Sequence, residues 1–391
     1  MDGDRKPELL LSAALVAVAV AVRLLGFGLE TFDWKWYLGP WTRFIAENGG
    51  FAALKFPFAD YNVPYLYLLT GFTWLGQHTP YEVLVWIKLG SVVFDVVLAF
   101  YAARIVALRG TGWRMPLLAG LTVLLLPTVV LNGAYWGQCD TIYSAFTVAG
   151  LYYLLRGKPW LGTALIGVAF AFKLQAIFVF PVLAALLLTR RLPWRCLVTI
   201  PIVYVLLAIP AWRAGRPFGD LMTIYVSQTG KFPQLTYAAP TVYAFLRPVE
   251  EYLDLVRTAG VLFAVAAVLA FIFLIVARRV ELDTRHIVIL SAASALLVPF
   301  LLPGMHERYF MLAEVLTVVA AFWAPRRLWF VPLLVQAASI ITYETYLVQA
   351  KPAPVDLRIL TLLVFAALAT TMGQLFRRPL APTPVGNTIA A

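Results

Sequence analysis

The sequence predicts an all-α polytopic membrane protein, a bundle of about 12 transmembrane helices with a helical first external loop. Three observations lead there. Apolar residues fill 62% of the 391 positions and charged residues only 13%, whereas a soluble domain averages roughly 45–50% and about 25%. At about 20 residues per crossing of a hydrocarbon layer about 30 Å thick, so many apolar residues suffice for about a dozen helices. They also fall in runs bounded by Pro, Gly and charge rather than being scattered. A disordered chain has the opposite composition.

The runs are 9–27, 63–77, 81–103, 115–131, 141–155, 160–188, 194–212, 257–277, 286–302, 309–323, 328–348 and 357–376. The first follows Arg5 and Lys6, as in a signal peptide. At 19 residues it is long for one, and Arg23 replaces a small-residue cleavage site, so a retained signal anchor is expected. Polar stretches at 28–62 and 213–256 interrupt the series, and no repeat at a fixed period is visible. The Pro-rich residues 379–391 read as a disordered cytoplasmic tail.

The net charge of +11 has no soluble domain to carry it toward nucleic acid, so it is read as a topological signal. Six short connections are basic: Arg104/Arg109/Arg114, Arg156/Lys158, Arg190/Arg191/Arg195, Arg278/Arg279/Arg285, Arg326/Arg327 and Arg377/Arg378. With Arg5 and Lys6 they hold 17 of the 31 cations. Placing all of them in the cytoplasm puts both termini there and makes two segments special. Run 63–77 must start and finish outside, as a helix that enters without traversing. Run 160–188 must go out and return, with its apex near Lys173–Gln175. Cys139 and Cys196 make neither a disulfide framework nor a metal-ligand cluster.

This drawing gathers the remaining polar residues on the outer side, where ionisable groups near a membrane are costly and usually functional. Asp33 lies before the aromatic-rich segment 34–47, read as an interfacial helix; it is either a helix cap or a base for an incoming hydroxyl. Asp60 and Tyr61 precede Pro64, which suits a first helical turn, so Asp60 either caps that helix or meets a substrate. Asp140 is a cap or a ligand group, with Trp136 and Gln138 beside it as stacking and hydrogen-bonding partners for a sugar. Lys173, among Phe170, Phe172, Ile177 and Phe178, needs an anion or water; Gln175 sits beside it. His306, Glu307 and Arg308 stand at an outer helix start that favours anions, or form an exposed polar turn. His306 has no second His or Cys at metal-ligand spacing. Lys88 and Asp95, two turns apart on one helix, read as structural residues paired with neighbours inside the bundle, a proton relay being the alternative.

In order along the chain, these segments resemble the GT-C superfamily of integral membrane glycosyltransferases. Asp33 followed by Asp60-Tyr61-Asn62-Val63-Pro64 resembles the family's first loop and its Asp-Tyr-Pro-Pro-like end. The run Asn132 to Asp140, then Phe172-Lys173-Leu174-Gln175 through Pro181, resembles the dolichyl-phosphate-glucose-dependent glucosyltransferases. Met305-His306-Glu307-Arg308-Tyr309-Phe310 is similar to their His-Glu-Lys motif and closer to bacterial relatives of the GPI mannosyltransferases. The sequence departs from the glucosyltransferase pattern at Val63 and at Leu174.

The resemblance implies a GT-C-like catalytic module over 1–325 and additional C-terminal helices over 326–378. It implies inverting transfer of a hexose, mannose favoured, from a polyprenyl-phosphate carrier to a lipid, glycan or protein acceptor. Asp33 would be the general base; Asp60, Tyr61, Trp136, Gln138 and Asp140 would meet acceptor and sugar. Lys173, Gln175, His306, Glu307 and Arg308 would hold the donor phosphate. No metal, cofactor or nucleic acid is expected, and a bacterial plasma membrane with an extracytoplasmic site is. The competing classes are a secondary transporter or flippase for a polar or lipid-linked substrate, and a non-catalytic scaffold.

Overall fold

The computed structural model describes residues 6–229, 233–347 and 355–377. The expected disordered tail, 379–391, lies outside the described residues, as do Arg5 and Arg378. Most described residues are helical: α1 (Lys6–Gly26), α2 (Gly39–Glu47), α3 (Val63–His78), α4 (Val83–Ala107), α5 (Arg114–Leu125), α6 (Pro127–Val130), α7 (Asp140–Leu155), α8 (Pro159–Phe172) and α9 (Phe180–Leu188). There follow α10 (Thr199–Arg213), α11 (Phe218–Thr229), α12 (Leu253–Ala277), α13 (Thr284–Leu301), α14 (Met311–Trp323), α15 (Pro325–Leu328), α16 (Val331–Leu347) and α17 (Leu357–Leu375). Among the described residues the strands are β1 (Thr236–Tyr237) and β2 (Met305–His306), paired in parallel.

Six segments are long and apolar enough to cross a membrane: Pro7–Gly26, Val83–Ala107, Trp194–Arg213, Glu250–Ala277, Thr284–Leu301 and Leu357–Leu375. A seventh results if Arg114–Leu125 and Pro127–Trp136, bent by 51°, count as one span. The bend has a local cause. Leu126 precedes Pro127, whose ring excludes the helical region at that residue, and it turns extended (φ −55°, ψ 125°). Every apolar run expected from the sequence contains helix, but several are short. The 16 residues of α3 reach about 24 Å at 1.5 Å per residue, less than a hydrocarbon core of about 30 Å. The molecule is therefore an all-α membrane protein with six or seven helices of spanning length.

The break expected near Lys173 is there. Helix α8 stops at Phe172, Lys173 is extended (φ −154°, ψ 135°), and a 3₁₀ turn, Leu174–Val179, leads into α9. Pro181 lies in the first turn of α9, where its missing N–H costs nothing. The aromatic segment after Asp33 is helical too, as a π-turn, Trp34–Leu38, running into α2.

Helices α7 and α8 form an antiparallel hairpin that carries Asp140 and Lys173 to the same end. Its closeness depends on two glycines. A Cβ on Gly150 would stand 2.8 Å from the Gly162 carbonyl, and one on Gly162 would stand 2.9 Å from the Gly150 carbonyl. Helices α4, α5, α7, α8, α13, α14, α16 and α17 share one apolar core, so residues on both sides of 325 pack together. A second core joins α2, α3 and the ends of α10 and α11. There Tyr67 repairs the break at Pro210: its hydroxyl donates to the Leu207 carbonyl (2.8 Å) and accepts from the Ala211 N–H (3.1 Å).

Lys88 and Asp95 are structural, as expected. Lys88 Nζ donates to the carbonyls of Gly26 (2.7 Å) and Leu29 (2.6 Å), capping the C-terminus of α1. Asp95 pairs with buried Arg23 at 3.0 Å, and Arg23 also donates to the Leu124 carbonyl (2.8 Å).

Candidate active site

The first residue of α7 and the residue after α8 meet at the top of the hairpin, where Lys173 Nζ forms an ion pair with Asp140. A second strut comes from the loop after α13. Gly304 turns it (φ 74°) and donates its N–H to the Leu235 carbonyl at 2.8 Å. Met305 and His306 then pair with Thr236 and Tyr237, and a 3₁₀ turn, Glu307–Phe310, leads into α14. This places Arg308 against Asp140 (3.7 Å), Asp33 (4.0 Å) and Glu307 (2.8 Å). Gln138 closes the ring: its amide donates to Asp33, and its oxygen accepts from the Tyr61 hydroxyl at 3.0 Å. Left-handed Gly137 (φ 77°) makes the turn that delivers Gln138.

Aromatic rings hold the cations. Lys173 Nζ lies 5.5 Å from the Tyr61 ring and 5.4 Å from the Tyr309 ring. Arg308 lies 5.5 Å from the Trp136 ring. His306 stacks on Tyr237 (4.5 Å, planes 9° apart), with Nδ1 3.6 Å from Glu307. Asn132 donates to Asp140 at 3.1 Å. Asp33, Asp140 and Glu307 thus face Lys173 and Arg308, one negative charge in excess when all are ionised.

Exposure is graded across the cluster. The side chains of Asp140 and Glu307 are fully buried, whereas Asp33 keeps 16% of its surface open. Burial pushes the Asp33 carboxyl above the ordinary carboxylate range, and Arg308 only partly offsets it. Burial also acts on Glu307, but Arg308 and His306 outweigh it and hold Glu307 below its ordinary value. For His306 burial wins, so its imidazole is held below the usual range and is neutral at pH 7.

The remaining candidates sit differently. Asp60 is not the cap of α3: Asn62 is, accepting the Val63 N–H at 2.8 Å. Asp60 is half-buried, and its backbone carbonyl accepts from Gln228 of α11. Trp136 is only 1% exposed, packed edge-on against Tyr343 with Arg308 over it, so it offers no face to a stacked sugar. Gln175 is buried in the 3₁₀ turn, where its Oε1 has no hydrogen-bond partner among the described residues. Lys173 and Arg308, the two cations expected on a phosphate, are matched by carboxylates here. Among the described residues no three His, Cys, Asp or Glu side chains converge to hold a metal ion.

The sequence reading passed over several members. Tyr237 lies in a polar stretch with no strand period, because a two-residue pairing has none. Glu314 is fully buried in α14 beside Ser339 and Thr128, and neither carboxyl oxygen makes a hydrogen bond of ordinary geometry among the described residues. Its signal was present: an acid inside an apolar run calls for the same attention as Lys173.

Compared with known protein families the chain matches none, and no curated protein matches it either.

Proposed function

We propose that the chain is a glycosyltransferase that moves a hexose, mannose favoured, from a polyprenyl-phosphate carrier to an acceptor hydroxyl, with inversion. One observation carries this reading: the most open carboxylate of a buried ionic cluster, Asp33, is held by Gln138, has raised proton affinity and stands 4.0 Å from Arg308. A carboxylate so placed accepts the acceptor's proton while the acceptor oxygen attacks the anomeric carbon. The bond from that carbon to the phosphate oxygen breaks, and its electron pair leaves with the lipid phosphate. The transition state has oxocarbenium character. Arg308 and Lys173 neutralise the departing phosphate after exchanging carboxylate partners; the α7–α8 hairpin positions Lys173, and the turn after α13 positions Arg308.

In this reading the 12 apolar runs sit in a bacterial plasma membrane with both termini in the cytoplasm. Helix α3 enters without traversing, and the Lys173 break is an extracytoplasmic apex. A donor anchored in lipid fits a site at that rim, and the acceptor is a lipid, glycan or protein hydroxyl. The resemblance to GT-C enzymes supports this and implies transfer without a metal.

The test is turnover of labelled polyprenyl-phosphate mannose by the full chain in nanodiscs. Asp33→Asn is expected to slow transfer about 10²- to 10⁴-fold at unchanged folding; turnover at the wild-type rate rejects Asp33 as the base. A secondary transporter or flippase is the second reading, favoured by Glu314, an acid buried within an apolar helix. Such a protein leaves the glycosyl–phosphate bond whole, so release of free polyprenyl phosphate separates the two.

A further inference from the structure

A cavity of about 380 Å³ opens at the other end of the same two helices that carry the candidate site. Phe100, Tyr101, Tyr152 and Tyr153 wall it, and three cations, Arg104, Arg156 and Lys158, border it with no carboxylate among the lining residues. Asp140 opens α7 and Tyr152 lies twelve residues on, about 18 Å along the axis at 1.5 Å per residue. The cavity and the ionic cluster therefore face opposite ends of the bundle.

The cavity is built by local geometry. Gly157, left-handed at φ 67°, makes the tight turn between α7 and α8, which sets Arg156 and Lys158 close together. Arg104, in the last turn of α4, donates to the Tyr152 hydroxyl at 2.9 Å and lies 5.5 Å from the Tyr152 ring. A guanidinium has five N–H donors, and among the described residues this is the one hydrogen bond Arg104 makes. It is oriented, with donors left over. Three cations around one aromatic-walled hollow repel one another until an anion joins them, and Arg binds phosphate oxygens in pairs.

One face of α4 leads into the cavity. Leu89, Val93, Val96 and Phe100 are exposed apolar residues spaced i, i+4, i+7, i+11, and the next residue on that face is Arg104. Exposed Trp160 stands two residues after Lys158, and aromatic residues are enriched at the headgroup level of a bilayer. A greasy stripe ending in a cationic hollow matches an amphiphile with its charge at one end.

We propose that this cavity binds the phosphate of an anionic membrane lipid whose hydrocarbon chain lies along the α4 stripe. The site is independent of the ionic cluster and of any transfer activity.

Native mass spectrometry of the detergent-purified full chain tests it, with dioleoylphosphatidic acid, dioleoylphosphatidylcholine and inorganic phosphate as separate probes. The wild type is expected to retain phosphatidic acid at 1:1 in preference to phosphatidylcholine. Inorganic phosphate in excess is expected not to displace it. Arg104→Gln/Lys158→Gln should weaken retention about tenfold or more, while Arg195→Gln/Arg326→Gln, which removes two cations from other connections, should not. Equal loss in both pairs, equal retention of phosphatidylcholine, or displacement by inorganic phosphate overturns the proposal. Arg156→Gln alone, with a smaller loss expected, serves if the double variant fails to fold.

Discussion

At the residue scale the decisive fact is that Lys173 and Asp140 neutralise each other as a buried pair. Removing one partner of a buried pair leaves an uncompensated charge and costs about 3–5 kcal/mol, whereas replacing both with apolar groups can be nearly neutral. Asp140→Asn is therefore expected to lower the thermal midpoint of the solubilised protein strongly, and Asp140→Leu/Lys173→Met to recover most of the loss. A double-mutant cycle on thermal unfolding reads this directly; additive losses would show that the two groups do not pair. Asp33 yields a second prediction. The base proposed at Asp33 works only when ionised, and burial raises the pH at which Asp33 ionises. Transfer should therefore fall about tenfold per pH unit on the acid side, with its midpoint above the ordinary Asp value of about 3.9. The pH profile of kcat/KM for the transfer reaction checks it, and a midpoint at or below 4 contradicts it. The stability sign is opposite. Because folding favours protonated Asp33, its stabilising contribution is present at low pH and is lost as pH rises through the raised value.

At the element scale the α7–α8 hairpin is the frame of the site. Its two glycines let the backbones approach until each would-be Cβ meets the other helix's carbonyl within 2.9 Å. Gly150→Val is expected to force the helices apart at a cost of about 1–3 kcal/mol from overpacking, and to loosen the Lys173–Asp140 contact. Thermal unfolding and transfer rate should both drop; an unchanged melting profile would mean that the hairpin tolerates a wider spacing. Much of this element was legible. Apolar runs either side of Arg156 and Lys158 gave the helices, and Lys173 with Pro181 inside one long run gave the break. The ribbon at His306 was not. Two residues carry no alternation, and the register of Tyr237 with His306 depends on a partner about 70 residues away.

At the scale of the whole molecule, composition and run length led to the class because burying or solvating this much apolar surface leaves few options. Twelve apolar runs appear as helices, yet only six or seven segments have spanning length, since breaks at Leu126 and Lys173 and short helices such as α3 divide the apolar sequence. The segments of Asp33, Asp140, Lys173 and His306–Glu307 were expected at one rim, and side chains from all of them do meet. Their pairing was not expected. The sequence marked Lys173 and Arg308 as cations awaiting a phosphate, and the fold gives them carboxylates first. Trp136, read as a sugar platform, is sealed beneath Arg308, and Asn62 rather than Asp60 caps α3.

The division follows from range. What the amino-acid sequence determined alone is what depends on a few consecutive residues: apolar helices and their breaks at Pro and Lys. What only the tertiary structure decided is which charge answers which. That depends on side chains as far apart as Asp33 and Arg308, and on how much water the packing leaves between them.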